Sequence, residues 1–155
     1  MTAAEAIREG DIPGVQLRRR QLLALPAEAA WAWLTEAGKL ARWLAERAEA
    51  HPDGSLTLAG SAPRVDPPKG PWQERIRTVA AEAPRLWVAT FERLDAGWTS
   101  ATRLTVRLQH RPSGCEADVL QQGFERLSLS VSLTVWESYR TRWRTALARL
   151  AELAA

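Results

Sequence analysis

Two histidines, one cysteine and four carboxylates in strand-like segments are the residues of this chain whose types could do chemistry. Their spacing limits what that chemistry can be. His51 precedes Pro52-Asp53-Gly54 and His110 precedes Arg111-Pro112-Ser113-Gly114, so both fall in or beside turns. Neither has a histidine or cysteine partner at the spacing of a metal cage. Cys115 is the only cysteine, which excludes an internal disulfide, and its neighbour Glu116 opposes the thiolate form that a nucleophile needs. A carboxylate aimed into an apolar interior is driven toward its neutral form and becomes suited to acid–base work. Alternation places Glu116 and Asp118 opposite Ala117 and Val119, hence in water. Glu74 and Glu92 stay open, each able to face inward beside arginines such as Arg75. Gly54, Gly60, Gly70 and Gly97 are scattered among turns, so no phosphate-cradling loop forms. The residues name no catalytic group, no metal site and no cofactor.

What remains is a surplus of large rings: Trp31, Trp33, Trp43, Trp72, Trp87, Trp98, Trp136 and Trp143, with Tyr139 and Phe91. Core packing is the plainer reading of Trp31, Trp43 and Trp143, because rings fill the space between a helix and a sheet efficiently. Trp136 and Tyr139 occupy the early turns of the last helical segment, while Trp87 and Phe91 share one face of a strand and could form an opposing wall.

These rings need elements to hold them. From Trp136 to Leu153, the residues Trp136, Tyr139, Trp143, Leu147, Leu150 and Leu153 recur at three- and four-residue steps, which predicts a long amphipathic helix, aromatic in its first half and leucine-rich in its second. Upstream, Val15 to Leu23 reads as a strand. Pro26 suits the first turn of a helix over Ala27 to Leu34, and Thr35 is the expected cap of a second helix over Glu36 to Leu44. The period then changes to two. Ala45–Ala50 and Ser55–Ala59 flank a Pro-Asp-Gly turn, and the Pro- and Gly-rich 60–71 segment reads as a surface loop. Trp72–Ala80 and Leu86–Arg93 are the next strands. Thr102–Gln109 alternates cleanly, with Leu104, Val106 and Leu108 on one face and Arg103, Thr105 and Arg107 on the other. Cys115–Gln122 completes a hairpin. A polar face on each strand implies an antiparallel sheet wet on one side and covered on the other.

A chain of 155 residues with 46% hydrophobic residues supports one domain and a substantial core. The expected organisation is a lead-in over residues 1–14 and a single domain over 15–155. No apolar stretch is long enough for a membrane span and the N-terminus lacks the apolar block of a secretory signal, so the expected location is cytoplasmic. The pI of 9.7 reflects arginine, because only Lys39 and Lys69 are lysines and the net charge is +3. Acidic residues interleave with the basic ones. Arg18-Arg19-Arg20 is too short for a phosphate track and alternates between strand faces, so ion pairs within the sheet are expected there and no nucleic-acid partner is.

In this order the segments resemble the START-like (SRPBCC) superfamily, in particular the group related to the C-terminal domain of the activator of the 90-kDa heat-shock protein's ATPase. The resemblance is carried by Pro26-Ala-Glu-Ala-Ala-Trp31-Ala-Trp-Leu34-Thr35 with Leu40-Ala-Arg-Trp43, by Glu82-Ala-Pro84-Arg-Leu86-Trp-Val-Ala-Thr90-Phe91, by Thr102 to Leu108 with Gly114 to Val119 and Gly123-Phe124, and by Trp143 to Leu150. Cys115 stands where a threonine is more usual, and Gln121-Gln122 stand where a histidine is common. The resemblance implies an α+β helix-grip fold: a curved antiparallel sheet wrapped around a long C-terminal helix, two short helices after the first strand, and a cavity between helix and sheet.

The implied function is binding of a small hydrophobic or aromatic ligand in that cavity, with Trp43, Trp87, Phe91, Trp136, Tyr139 and Trp143 as ligand-binding residues. One alternative is a co-chaperone-like interaction module with a protein partner, or a homodimer. Another is an enzyme acting on an aromatic or polyketide-like substrate, which requires an inward-pointing Glu, Tyr or Arg.

Overall fold

The computed structural model of the chain describes residues 10–61, 71–127 and 132–154. Within them the order is β1 (Gln16–Leu23), α1 (Ala27–Thr35), α2 (Ala37–Trp43), β2 (Arg47–Ala50), β3 (Leu56–Gly60), β4 (Trp72–Glu82), β5 (Leu86–Arg93), β6 (Thr102–Arg111), β7 (Gly114–Gln122) and α3 (Ser132–Leu153), with one 3-10 turn at Phe124–Arg126. Among the described residues the strands form one antiparallel sheet in the order β1-β7-β6-β5-β4-β3-β2. This is the α+β helix-grip arrangement that the family resemblance implied: α3 runs along β1 and against α2, while α1 covers β6 and β7. The expected surface loop over 60–71 falls mostly outside the described residues.

Period-two patterning decides which side of the sheet is dry. Leu104, Val106 and Leu108 on β6 are buried with Ala117 and Val119 on β7 and Ala89 and Phe91 on β5. Arg103 and Arg107 project from the other face and are exposed. A register shift between Thr78 and Ala80 bends β4, as an extra residue in one strand must. Trp87 Nε1 donates to Thr78 Oγ1 at 2.9 Å beside that bend. Gly114 opens β7 at φ +151°, and a Cβ there would lie 2.0 Å from the Leu23 carbonyl oxygen, so only glycine admits this close approach of β7 to the end of β1.

Two local expectations need revision. Thr35 does not cap the second helix: it ends α1, its hydroxyl donating back to the Trp31 carbonyl at 2.8 Å, and Glu36 stands at the start of α2 with no side-chain cap bond. A threonine hydroxyl four residues beyond a helical carbonyl meets that acceptor without leaving the helix. In α1 it is Trp33, rather than Trp31, that is buried with Ala30 and Leu34, while Trp31 packs half-buried at the margin.

The arginine triplet forms ion pairs. Arg18 Nε donates to Asp118 Oδ1 at 2.9 Å, Arg20 lies 3.6 Å from the same carboxylate, and Arg19 turns inward to Asp11 at 3.0 Å. Burial pushes the Asp118 pKa up, but the hydrogen bond from Arg18 and the charges of Arg18 and Arg20 outweigh it, leaving the group below the ordinary carboxylate value. A carboxylate whose folded pKa is depressed stabilises fully above its unfolded value of about 3.9, and that stability is lost as pH falls through the folded value. Asp118→Asn should therefore cost on the order of 1 kcal/mol at pH 7 and nothing at the lowest pH where the protein stays folded. Urea melts between pH 3 and 7 check this, and a constant difference across the range would refute it.

Candidate functional site

Tyr139 is on the second turn of α3 and is fully buried, with its ring 5.6 Å edge-on from Phe91, 6.0 Å from Phe124 and 5.8 Å from Trp98. One turn further along, Trp143 lies 6.5 Å from Phe91 and 6.4 Å from Trp43. Helical spacing of four puts the two α3 rings on one face, and inward alternation on β5 puts Phe91 beneath them. Four of the six residues expected to bind a ligand, Trp43, Phe91, Tyr139 and Trp143, thus meet in one ring cluster.

The other two lie apart. Trp136 is buried against β1, its indole donating to the Gln16 carbonyl at 2.8 Å and its ring stacked under Arg140 at 5.3 Å. Arg140 Nε in turn donates to Asp11 at 2.7 Å, and Asp11 also accepts from the Arg18 backbone at 2.8 Å. Asp11, 1% exposed, is a clasp between the lead-in, β1 and α3 that no periodic pattern marked. Trp87 is on the same dry face as Phe91 but is fastened to the bend in β4.

Polar groups converge on the ring cluster. Glu74, 0% exposed, accepts a hydrogen bond from the Tyr139 hydroxyl and another from Arg142 Nη1, both at Oε2. Arg142 Nη2 donates to the Leu44 carbonyl at 2.9 Å, and its guanidinium stacks on Trp72 at 4.7 Å. Gly60 makes room for Trp72: a Cβ there would lie 2.5 Å from the indole. Glu74 faces inward because Trp72 and Ile76, two residues to either side, are the buried members of β4. That alternation was readable in the sequence. Glu92, by contrast, faces outward and is half-buried, 3.8 Å from Arg75.

A second polar line crosses the core beside Trp143. Its indole donates to Gln121 Oε1 at 2.8 Å, Gln121 Nε2 donates to Thr102 Oγ1 at 2.9 Å, and Thr102 donates to the Phe91 carbonyl at 2.7 Å. Each of these buried groups has a partner, so their desolvation is compensated. Gln121 shares the inward face of Cys115, Ala117 and Val119, a signal that local alternation also carried.

The remaining candidates have other surroundings. His51 bonds Thr57 across the β2–β3 hairpin at 2.6 Å and His110 is exposed near the end of β6. Cys115 is buried, and burial first, with the charge of Glu28 second, pushes its thiol pKa up, away from a nucleophile's. Among the described residues no cluster of His, Cys, Asp or Glu is arranged for a metal, and no helix is long and apolar enough to cross a membrane. Hollows walled by described residues include one of about 340 Å³ on the outer sheet face and one of about 500 Å³ beside β2 and β3. Neither is lined by any of the six aromatic candidates.

A family model described as Activator of Hsp90 ATPase homolog 1-like protein matches residues 24–155. Solved structures share the fold. Protein Ms6760 from Mycobacterium smegmatis superposes with a TM-score of 0.72 at 12% identity, over 92% of this chain and 91% of that one. Protein CV1439 from Chromobacterium violaceum gives 0.69 at 18%, over 90% and 97%. CalU16 from Micromonospora echinospora gives 0.61 at 15%, over 89% and 71%. No curated protein matches the sequence.

Proposed function

We propose that this chain, which belongs to the family of Activator of Hsp90 ATPase homolog 1-like proteins, binds a small hydrophobic or aromatic molecule between α3 and the sheet. Trp43, Phe91, Tyr139 and Trp143 form its apolar surroundings, Trp87 and Trp136 stand outside that ring cluster, and the Glu74–Tyr139–Arg142 group supplies the polar contact that orients it. The observation that carries this reading is the buried carboxylate–phenol–guanidinium group set into a wall of rings. A core needs no such group for stability, since a packed apolar triad of similar volume does as well or better. A ligand site needs a few convergent polar atoms in an apolar lining.

Entry falls to Trp98. It is half-buried on the segment between β5 and β6, next to Gly97 at φ +64°, and its ring leans on Tyr139. Displacing that one indole removes one of the three rings packed on Tyr139 and moves no strand of the sheet. Titration with 2-naphthol and with dodecanoate, followed by tryptophan fluorescence and native mass spectrometry, should show binding of one molecule per chain. Phe91→Ala should weaken it about tenfold, and Trp98→Ala should speed association. Absence of binding by both the wild-type chain and Trp98→Ala at millimolar ligand would overturn the reading.

The same group gives the enzyme reading its one support, because Glu74 and Tyr139 share a hydrogen bond and could relay a proton to a bound aromatic substrate. The co-chaperone-like reading asks for a contiguous exposed apolar patch, whereas among the described residues the exposed large apolar side chains Ile12, Leu22, Val79, Leu94 and Leu133 are on five separate segments.

A further inference from the structure

The outer face of the sheet carries a feature that ligand binding in the interior does not use. Three rows cross it in register. Arg18, Leu120, Thr105 and Val88 form the middle row, Gln122, Arg103 and Thr90 flank it on one side, and Arg20, Asp118, Arg107 and Leu86 on the other. The middle row floors the hollow of about 340 Å³, with Leu120 and Val88 as its apolar base and Arg103 and Arg107 at its rims. Arg18 and Arg20 are engaged with Asp118. Arg103 and Arg107 are exposed, and among the described residues neither has a carboxylate partner.

We propose that this face docks an acidic segment of a partner protein, with carboxylates paired to Arg103 and Arg107 and apolar side chains laid on Leu120 and Val88. Three features select that occupant. Arg103 and Arg107 are four residues apart on one strand, so their stems are separated by about 13 Å, too far for one small anion to bridge and matched by two acidic residues four apart in an extended chain. The apolar floor between them has no use for a phosphate and fits the aliphatic residues of a peptide. Asp118 is engaged by Arg18 and Arg20 and Glu116 by Arg111, which leaves Arg103 and Arg107 as two discrete charges beside the hollow, suited to two discrete carboxylates rather than to the continuous charge of a nucleic acid. Charge complementarity of this kind gives specificity and a salt-sensitive association rate.

The test uses the whole chain and three fluorescein-labelled probes read by anisotropy: a nine-residue peptide with glutamates at positions 3 and 7 and valines between them, the same peptide with glutamines, and a nine-nucleotide single-stranded DNA. The glutamate peptide should bind at least tenfold more tightly than the glutamine peptide at 50 mM salt and weaken steeply by 300 mM. The double variant Arg103→Gln/Arg107→Gln, whose side chains are outside the core, should lose about tenfold for that peptide while keeping the wild-type circular dichroism spectrum and the same response to 2-naphthol. Equal binding of the two peptides, unchanged binding by the double variant, or tighter binding of the DNA than of the glutamate peptide would each overturn the proposal.

Discussion

Arg142→Met should lower the stability of the folded chain by about 3–5 kcal/mol, the usual cost of withdrawing one partner from a buried ion pair. The residue gives up a hydrogen bond to Glu74, another to the Leu44 carbonyl and its stacking on Trp72. Glu74, 0% exposed, then keeps its hydrogen bond from Tyr139 but loses the guanidinium beside it. In a chain of this size the loss corresponds to a fall in Tm on the order of 10 °C, measurable by calorimetry. The double variant Glu74→Leu/Arg142→Met should recover most of the loss, because two apolar side chains in that space avoid the desolvation that each charge alone incurs. If Arg142→Met costs under 1 kcal/mol, or the double variant is no better than the single one, the two side chains are not coupled in the folded protein. The double variant also separates stability from function: folded, it should bind naphthalene as the wild-type chain does and lose any preference for 2-naphthol over it.

The second large effect is expected at Trp143. Trp143→Ala removes the ring between Trp43 and Phe91 and leaves Gln121 Oε1, in a residue of zero exposure, without its donor. Emptying a well-packed ring site costs about 3–5 kcal/mol. Trp143→Phe keeps most of the volume and loses only the hydrogen bond, so it should cost about 1–3 kcal/mol. Urea denaturation of the two variants divides packing from hydrogen bonding. Equal losses would mean that the Gln121–Thr102 line, rather than the ring, is what the core depends on.

Much of this architecture was legible from local patterning. The alternation of Thr102–Gln109 marked β6 and its dry face, the Pro-Asp-Gly and Pro-Ser-Gly segments marked hairpin turns, and the spacing of Trp136, Tyr139, Trp143, Leu147 and Leu150 marked the buried stripe of α3. The inward placement of Glu74 and Gln121 was readable by the same alternation, given Trp72 and Ile76 for one and Ala117 and Val119 for the other. Thr35 was misassigned because a threonine at a helix boundary can bond forward as a cap or backward to the preceding turn, and the sequence does not choose. Asp11 carried no signal, because it stands in a segment with no period.

The sequence by itself therefore determined the elements, their order and the faces they present, since side-chain direction follows from the helical and strand repeats within a few residues. Only the tertiary structure decided which inward residues meet. Glu74 and Tyr139 are 65 residues apart in sequence, Glu74 and Arg142 are 68 apart, and Asp11 and Arg140 are 129 apart. Whether such residues face each other depends on strand register, the bend at Thr78–Ala80 and the seat of α3 on β1, which arise from packing across the whole chain. For the same reason Trp136 and Trp87, on the expected faces, ended outside the ring cluster that Trp43, Phe91, Tyr139 and Trp143 share.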